Sequence, residues 1–249
     1  MKPSGVRLDR SGPVATVTLC RPEVLNAQTP QMWDALREIS RQLTGEVRVV
    51  VVRGEGRAFS AGLDRSIAGE LVAQLTRLPA EDALARIATA QEAFSWLRRP
   101  NLVTIAGVQG HAIGAGLQLA LACDLRVLAD DAQLAMAEVT LGMVPDLGGT
   151  KRLVELVGYG RALELCLTAR RVDAAEAARI GLANLVVPAA ELDAAIADLT
   201  AAVLAADRDA AIEVKALLAG AAGRSYPEQQ RAEREAQLRR FRDLAGLGE

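Results

Sequence analysis

Apolar residues in this chain fall into short runs that switch between a period of two and a period near 3.6. Val6–Arg10 and Val14–Leu19 alternate around Ser11-Gly12-Pro13, which predicts a hairpin or two short strands. Thr29-Pro30 reads as an N-cap with Pro at the first helical position, opening a helix to Leu43. Val47–Val52 is a β-branched run bounded by Gly45 and Gly54, the pattern of a buried strand. Arg53 to Ser66 is rich in Gly and small residues and reads as a loop. Glu81–Arg98 is helical in period and stops before Pro100. Leu102–Val108 and Asp124–Ala129 read as strands with a glycine-rich turn between them. Asp173-Ala-Ala-Glu176 has the form of a capping box, Asn184–Val187 reads as a short strand, and Pro188 to Leu244 is nearly all helical. No repeat or low-complexity linker interrupts the chain. The expected organisation is a core over residues 1–190 and a helical C-terminal region over 191–249.

Composition narrows the class. The 249 residues are 51% hydrophobic and only 3% aromatic, which points to a helix-rich α/β protein. A net charge of −2 gives no electrostatic case for nucleic acid or an anionic membrane. Three cysteines, Cys20, Cys123 and Cys166, form no CxxC or metal pattern, so a reduced cytoplasmic setting is expected. The N-terminus lacks a signal-peptide core, and no run approaches about 18 uninterrupted apolar residues.

The chemistry concentrates in Gln109-Gly-His-Ala-Ile-Gly-Ala-Gly-Leu-Gln118, which joins a strand-like run to a helix-like run through three glycines. Gly tolerates positive φ and close approach. Free N–H groups at a helix start attract negative charge. Main chain alone could therefore hold an oxyanion here. Other motifs fail. The third glycine of a dinucleotide fingerprint is absent, and Gly149-Thr-Lys151 has the wrong order for a phosphate loop. His111 is the only histidine, and no nucleophile elbow accompanies it. Trp33, Phe94 and Trp96 sit at helix positions that suit core packing. Five arginines of the last helical run are balanced by Glu228, Glu233 and Glu235, as on a solvated or subunit-contacting face.

Four segments in order resemble the crotonase, or enoyl-CoA hydratase/isomerase, superfamily: Arg21–Ala27, Gly56–Asp64, Gly110–Asp124 and Gly142–Leu153. The resemblance implies a crotonase-like ββα spiral with a helical C-terminal region, assembled as a homotrimer or dimer of trimers. It implies an acyl-CoA thioester as substrate, with no cofactor beyond that coenzyme A and no metal. It also implies backbone amides of Leu63 and Ala115 as an oxyanion hole, and CoA contacts from Leu25, Arg57 and Ala61.

An oxyanion hole moves no protons, so an acid or base is required. The first family carboxylate position holds Gln118, which cannot titrate but can orient water or an acyl chain. The second holds Glu138. The third holds Asp146, as in family isomerases. Glu138 also suits a helix cap or an arginine partner, and Asp146, between Pro145 and two glycines, also suits a turn. Asp64 and Asp124 read as structural. Lys215 reads as an exposed helix lysine or a further CoA contact. One amide and two carboxylates favour shifting a double bond over hydrating it. A hydratase using Glu138, and an acyl-CoA-binding protein without turnover, are the alternatives.

Overall fold

A computed structural model describes residues 5–247; the ends of the two expected regions, residues 1–4 and 248–249, lie outside it. The strands are β1 (Val6–Ser11), β2 (Val14–Leu19), β3 (Val49–Gly54), β4 (Val103–Val108), β5 (His111–Ile113), β6 (Leu125–Ala129), β7 (Gln133–Ala135), β8 (Val172–Asp173) and β9 (Leu185–Val187). β1 and β2 form an antiparallel hairpin with Val6 opposite Leu19. β3, β4, β6 and β9 add to β2 in parallel to give a six-stranded sheet, β1-β2-β3-β4-β6-β9. A second sheet has the order β5-β7-β8.

The helices are α1 (Pro30–Gln42), α2 (Arg65–Arg77), α3 (Ala80–Ser95), α4 (Ala115–Ala122), α5 (Gly149–Val157), α6 (Tyr159–Thr168), α7 (Ala174–Arg179), α8 (Leu192–Ala205), α9 (Arg208–Ala221) and α10 (Tyr226–Leu244). The β-branched run of β3 is explained by burial on both faces. Val50 and Val52 join the main core with Leu36, Phe59 and Phe94, whereas Val49 and Val51 pack with Leu192 and Ile196 of α8. Thr29 caps α1 as expected, accepting from Met32 N, and Met32, Trp33, Leu36 and Ile39 form its buried stripe.

Two elements depart from the sequence reading. The loop expected to Ser66 ends earlier, because Asp64 caps α2 by accepting from Ser66 N. No residue of α2 is fully buried; its short apolar stripe, Ile67, Leu71 and Leu75, is half-buried. The glycine-rich turn after β4 also contains β5, which leaves the large sheet for the small one.

Lys215 is neither exposed nor free. Its Nζ donates to Asp124 Oδ2 at 2.7 Å and Leu102 O at 2.6 Å, tying α9 to the sheet. Asp124 is structural, as expected: its Oδ2 also accepts from Thr104 N and Oγ1. Arg126, 2% exposed, donates to Leu182 O at 2.6 Å and Cys123 O at 3.0 Å, securing the C-terminal end of α4. Among the described residues no helix is long and apolar enough to cross a membrane, and no cluster of His, Cys, Asp or Glu could hold a metal.

Candidate active site

The loop 57–64 is stitched to the fold along both edges. Phe59 N and Ser60 N donate to Gln109 O and His111 O at 2.8 Å, and Ile113 N donates to Ser60 O at 3.0 Å. On the other edge Gln28 N donates to Gly62 O at 2.6 Å, and Asp64 N to Gln28 O at 2.9 Å. This parallel pairing uses residues 62 and 64, so the Leu63 amide faces away from Gln28. That amide has no hydrogen-bond acceptor among the described residues.

The first motif supports this loop from below. Asn26, held at φ 54°, donates to Ala58 O at 2.8 Å and Glu55 O at 2.9 Å. Ser60 Oγ donates to Asn26 O at 2.8 Å, and Arg21 pairs with Asp64 at 3.0 Å. Asp64 is thus structural, as expected. Its carboxyl titrates below the usual range, mainly through the Ser66 hydroxyl, with Arg21 adding to the effect.

The second amide comes from α4. Ala115 is its first residue, and an N–H there has no acceptor within its own helix. Gly62, at φ +87°, brings the two turns together. A Cβ on it would lie 3.5 Å from Ala115 N and collide with Ile113 O. Leu63, Ala115, Gln118, Glu138 and Asp146 all line one cavity of about 450 Å³.

Glu138 opens a 3₁₀ turn (Glu138–Leu141) that ends at Gly142 in the left-handed region. Its side chain reaches Gln118, not an arginine: Gln118 Nε2 donates to Glu138 Oε1 at 2.7 Å. Glu138 Oε2 is buried with no partner among the described residues. Burial pushes the Glu138 carboxyl above the usual range, and the nearby charge of Asp146 adds to the rise. Asp146 keeps solvent access, yet the protein around its carboxyl raises its pKa as well. Its turn is anchored by Gln91 Nε2 on α3, which donates to Asp146 O at 2.7 Å.

Gln118 is 1% exposed, and its Oε1 accepts from Leu147 N at 2.9 Å and Gly149 N at 3.2 Å. Three of its hydrogen-bonding positions are taken by protein, which leaves one Nε2 hydrogen for any ligand. Of the residues expected to meet CoA, Ala61 lines the cavity, whereas Leu25 and Arg57 lie outside its lining. Leu25 O accepts from Ala61 N at 2.8 Å, so those two remain coupled. The sequence reading missed the cavity wall built by α2 and α3. Ile67, Leu71 and Leu75, each four residues apart, were the periodic signal for α2.

The family model described as enoyl-CoA hydratase/isomerase matches residues 9–244. The short-chain-enoyl-CoA hydratase of Clostridium acetobutylicum is 35% identical over 198 residues, covering 77% of this chain and 72% of that protein. The crotonyl-CoA hydratase of Syntrophomonas wolfei is 36% identical over 191 residues, covering 74% of this chain and 70% of that one. A Thermobifida fusca YX protein of enoyl-CoA hydratase type, crystallised in complex with CoA, superimposes with a TM-score of 0.92 at 50% identity, covering 98% of this chain and 95% of that one. Its complex with acetoacetyl-CoA gives 0.91 at 49% identity, covering 96% of each chain. With the spiral of sheets, the paired turns and these matches together, the chain belongs to the enoyl-CoA hydratase/isomerase family.

Proposed function

We propose that this protein shifts a double bond within an enoyl-CoA, holding the thioester oxygen of a dienolate between the amides of Leu63 and Ala115. The observation that supports the reading is that Leu63 and Ala115, whose amides have no acceptor among the described residues, line one cavity with two carboxyls of raised pKa. Removing a proton from C2 of a 3-enoyl thioester places negative charge on the thioester oxygen. Each backbone donor aimed at that oxygen contributes about 3–4 kcal/mol to the transition state. Glu138 Oε2 takes the proton, because Oε1 is engaged by Gln118. Glu138, protonated in that step, returns the proton at C4, and the charge of Asp146 nearby strengthens it as a base. The proton count balances: Glu138 is ionised before and after the transfer and protonated only beside the dienolate, while Asp146 stays ionised throughout. Leu25, Arg57 and Ala61 contact the CoA moiety. The reading brings with it a cytoplasmic setting, no cofactor beyond the substrate's own CoA, and a homotrimer or dimer of trimers.

A second reading, hydration of a 2-enoyl-CoA, is supported by the names of the curated relatives. In it, Glu138 activates a water that the remaining Gln118 hydrogen orients. Turnover of 2-enoyl, 3-enoyl and dienoyl CoA thioesters separates the two. Isomerisation requires conversion of a 3-enoyl or dienoyl substrate that Glu138→Gln lowers by about 10²-fold or more. Brisk hydration of crotonyl-CoA with no 3-enoyl conversion selects hydratase. Tight acyl-CoA binding with no turnover of any thioester leaves a binding protein.

A further inference from the structure

The cavity lining includes two solvent-exposed arginines that the proposed reaction does not use. Arg65 is the first residue of α2, and Arg86 lies on α3. Both line the cavity, and neither side chain has a hydrogen bond or ion pair among the described residues. The third acidic residue on the wall, Asp34, is already held by Arg37 at 3.0 Å. Nor do the arginines serve the two carboxyls: no cation offsets the rise in the Asp146 pKa. Gln91 is the α3 residue that touches the Asp146 turn. Arg86 precedes it by five residues, about 7.5 Å along the helix axis. The same cavity is lined by apolar side chains, among them Leu71, Leu75, Ile87, Leu141 and Met143. Guanidinium groups beside so much apolar surface favour an anionic partner that they can bind in a charge-assisted, bidentate way.

We infer that Arg65 and Arg86 form a subsite for a carboxylate on the acyl group, so that the preferred substrates are ω-carboxylated enoyl-CoA thioesters. The inference rests on the acyl-CoA reading above and deepens it. A phosphate of the coenzyme is the other anion available. The proposed function assigns the nucleotide to Leu25 and Arg57, which lie outside this cavity. The apolar wall then follows the methylene chain from the thioester towards its charged end.

The test compares matched pairs of thioesters, one ending in methyl and one in carboxylate, at two or three chain lengths. Binding of the saturated forms and of free CoA is measured by calorimetry, and kcat/KM is measured with the enoyl forms. The proteins are the parent chain, Arg65→Gln and Arg86→Gln, each checked by circular dichroism. The expected result is a carboxylate-to-methyl preference in the parent that falls about tenfold, the equivalent of about 1.4 kcal/mol, in each variant. The loss should lie in Kd and KM more than in kcat. Equal losses for both thioesters and for free CoA would assign the arginines to phosphate and overturn the inference. A parent protein without the preference, or variants that retain it, would overturn it too. If no thioester binds at all, the acyl-CoA reading fails and takes this inference with it, an outcome distinct from the others.

Discussion

Gln118 Nε2 donates to Glu138 Oε1 at 2.7 Å, while Gln118 Oε1 accepts from Leu147 N and Gly149 N. The two backbone donors fix which end of the amide faces Glu138. A glutamine here thus orients a carboxylate without adding a second charge. Gln118→Ala leaves buried partners unsatisfied and should destabilise the protein by about 2 kcal/mol. Gln118→Glu is more diagnostic. Its carboxylate can still accept from Leu147 and Gly149 but cannot donate to Glu138 once ionised. The facing carboxyls share a proton at low pH and repel as both ionise, so stability should fall with rising pH relative to the parent. Urea unfolding at about pH 5 and about pH 8 measures this. Equal stability of variant and parent at both values would contradict the orientation described.

The charge of Asp146 is one cause of the raised Glu138 pKa, after burial. A raised pKa keeps Glu138 protonated, and so unable to act as a base, to a higher pH than an exposed carboxyl. Activity should therefore rise with pH along an acid limb set by Glu138. In Asp146→Asn that limb should move to lower pH, because the like charge is gone. Whatever the maximal rate of the variant, the limb's position in a kcat/KM profile is the readout. A limb that stays put or moves upward would show that the two carboxyls do not interact.

Ionised Glu138 is a burden on the fold, since its Oε2 is buried and unpartnered. A carboxyl with a raised folded-state pKa loses stability as pH climbs through the ordinary carboxylate range to the raised value. Glu138→Gln removes that loss and can still accept from Gln118. At neutral pH the variant should unfold at a higher temperature than the parent while losing turnover. A scanning calorimetry trace with a lower Tm would refute the trade-off.

Gly62 holds the two amide-bearing turns in contact at φ +87°. Gly62→Ala forces an L-residue into the left-handed region, at about 1–2 kcal/mol. It also drives a Cβ against Ile113 O and towards Ala115 N. The amides of Leu63 and Ala115 should separate, and kcat should fall by about 10²–10³, the scale of losing one oxyanion donor. Retention of parental kcat in a folded Gly62→Ala protein would remove the amide pair from the mechanism.

Lys215 and Asp124 pair at 2.7 Å with side-chain exposures of 13% and 25%. Lys215→Met should destabilise by roughly 2–3 kcal/mol, somewhat below the figure for fully buried pairs. Because the Lys215 ammonium is committed to Asp124 and Leu102, KM for a CoA thioester should be unchanged. A raised KM in folded protein would return Lys215 to the CoA contacts considered from sequence.

The sequence alone determined the strands and helices whose side chains alternate or recur in a stripe, because burial on a given face writes itself into local periodicity. The β3 valines, the Thr29 cap and the capping residue Asp173 are of this kind. Local chemistry also marked the two glycine turns, since positive φ restricts residue choice within a few positions. Tertiary structure decided the rest. α2 buries no residue fully, and its short apolar stripe gains its meaning only from the cavity wall it completes. That wall makes Arg65 and Arg86 neighbours of a common space, a relation that no spacing along the chain encodes. The orientation of Gln118 is set by amides 29 and 31 residues away, and its contact with Glu138 spans 20. Hydrogen bonds and charge coupling depend on distance in space, which only the folded chain fixes.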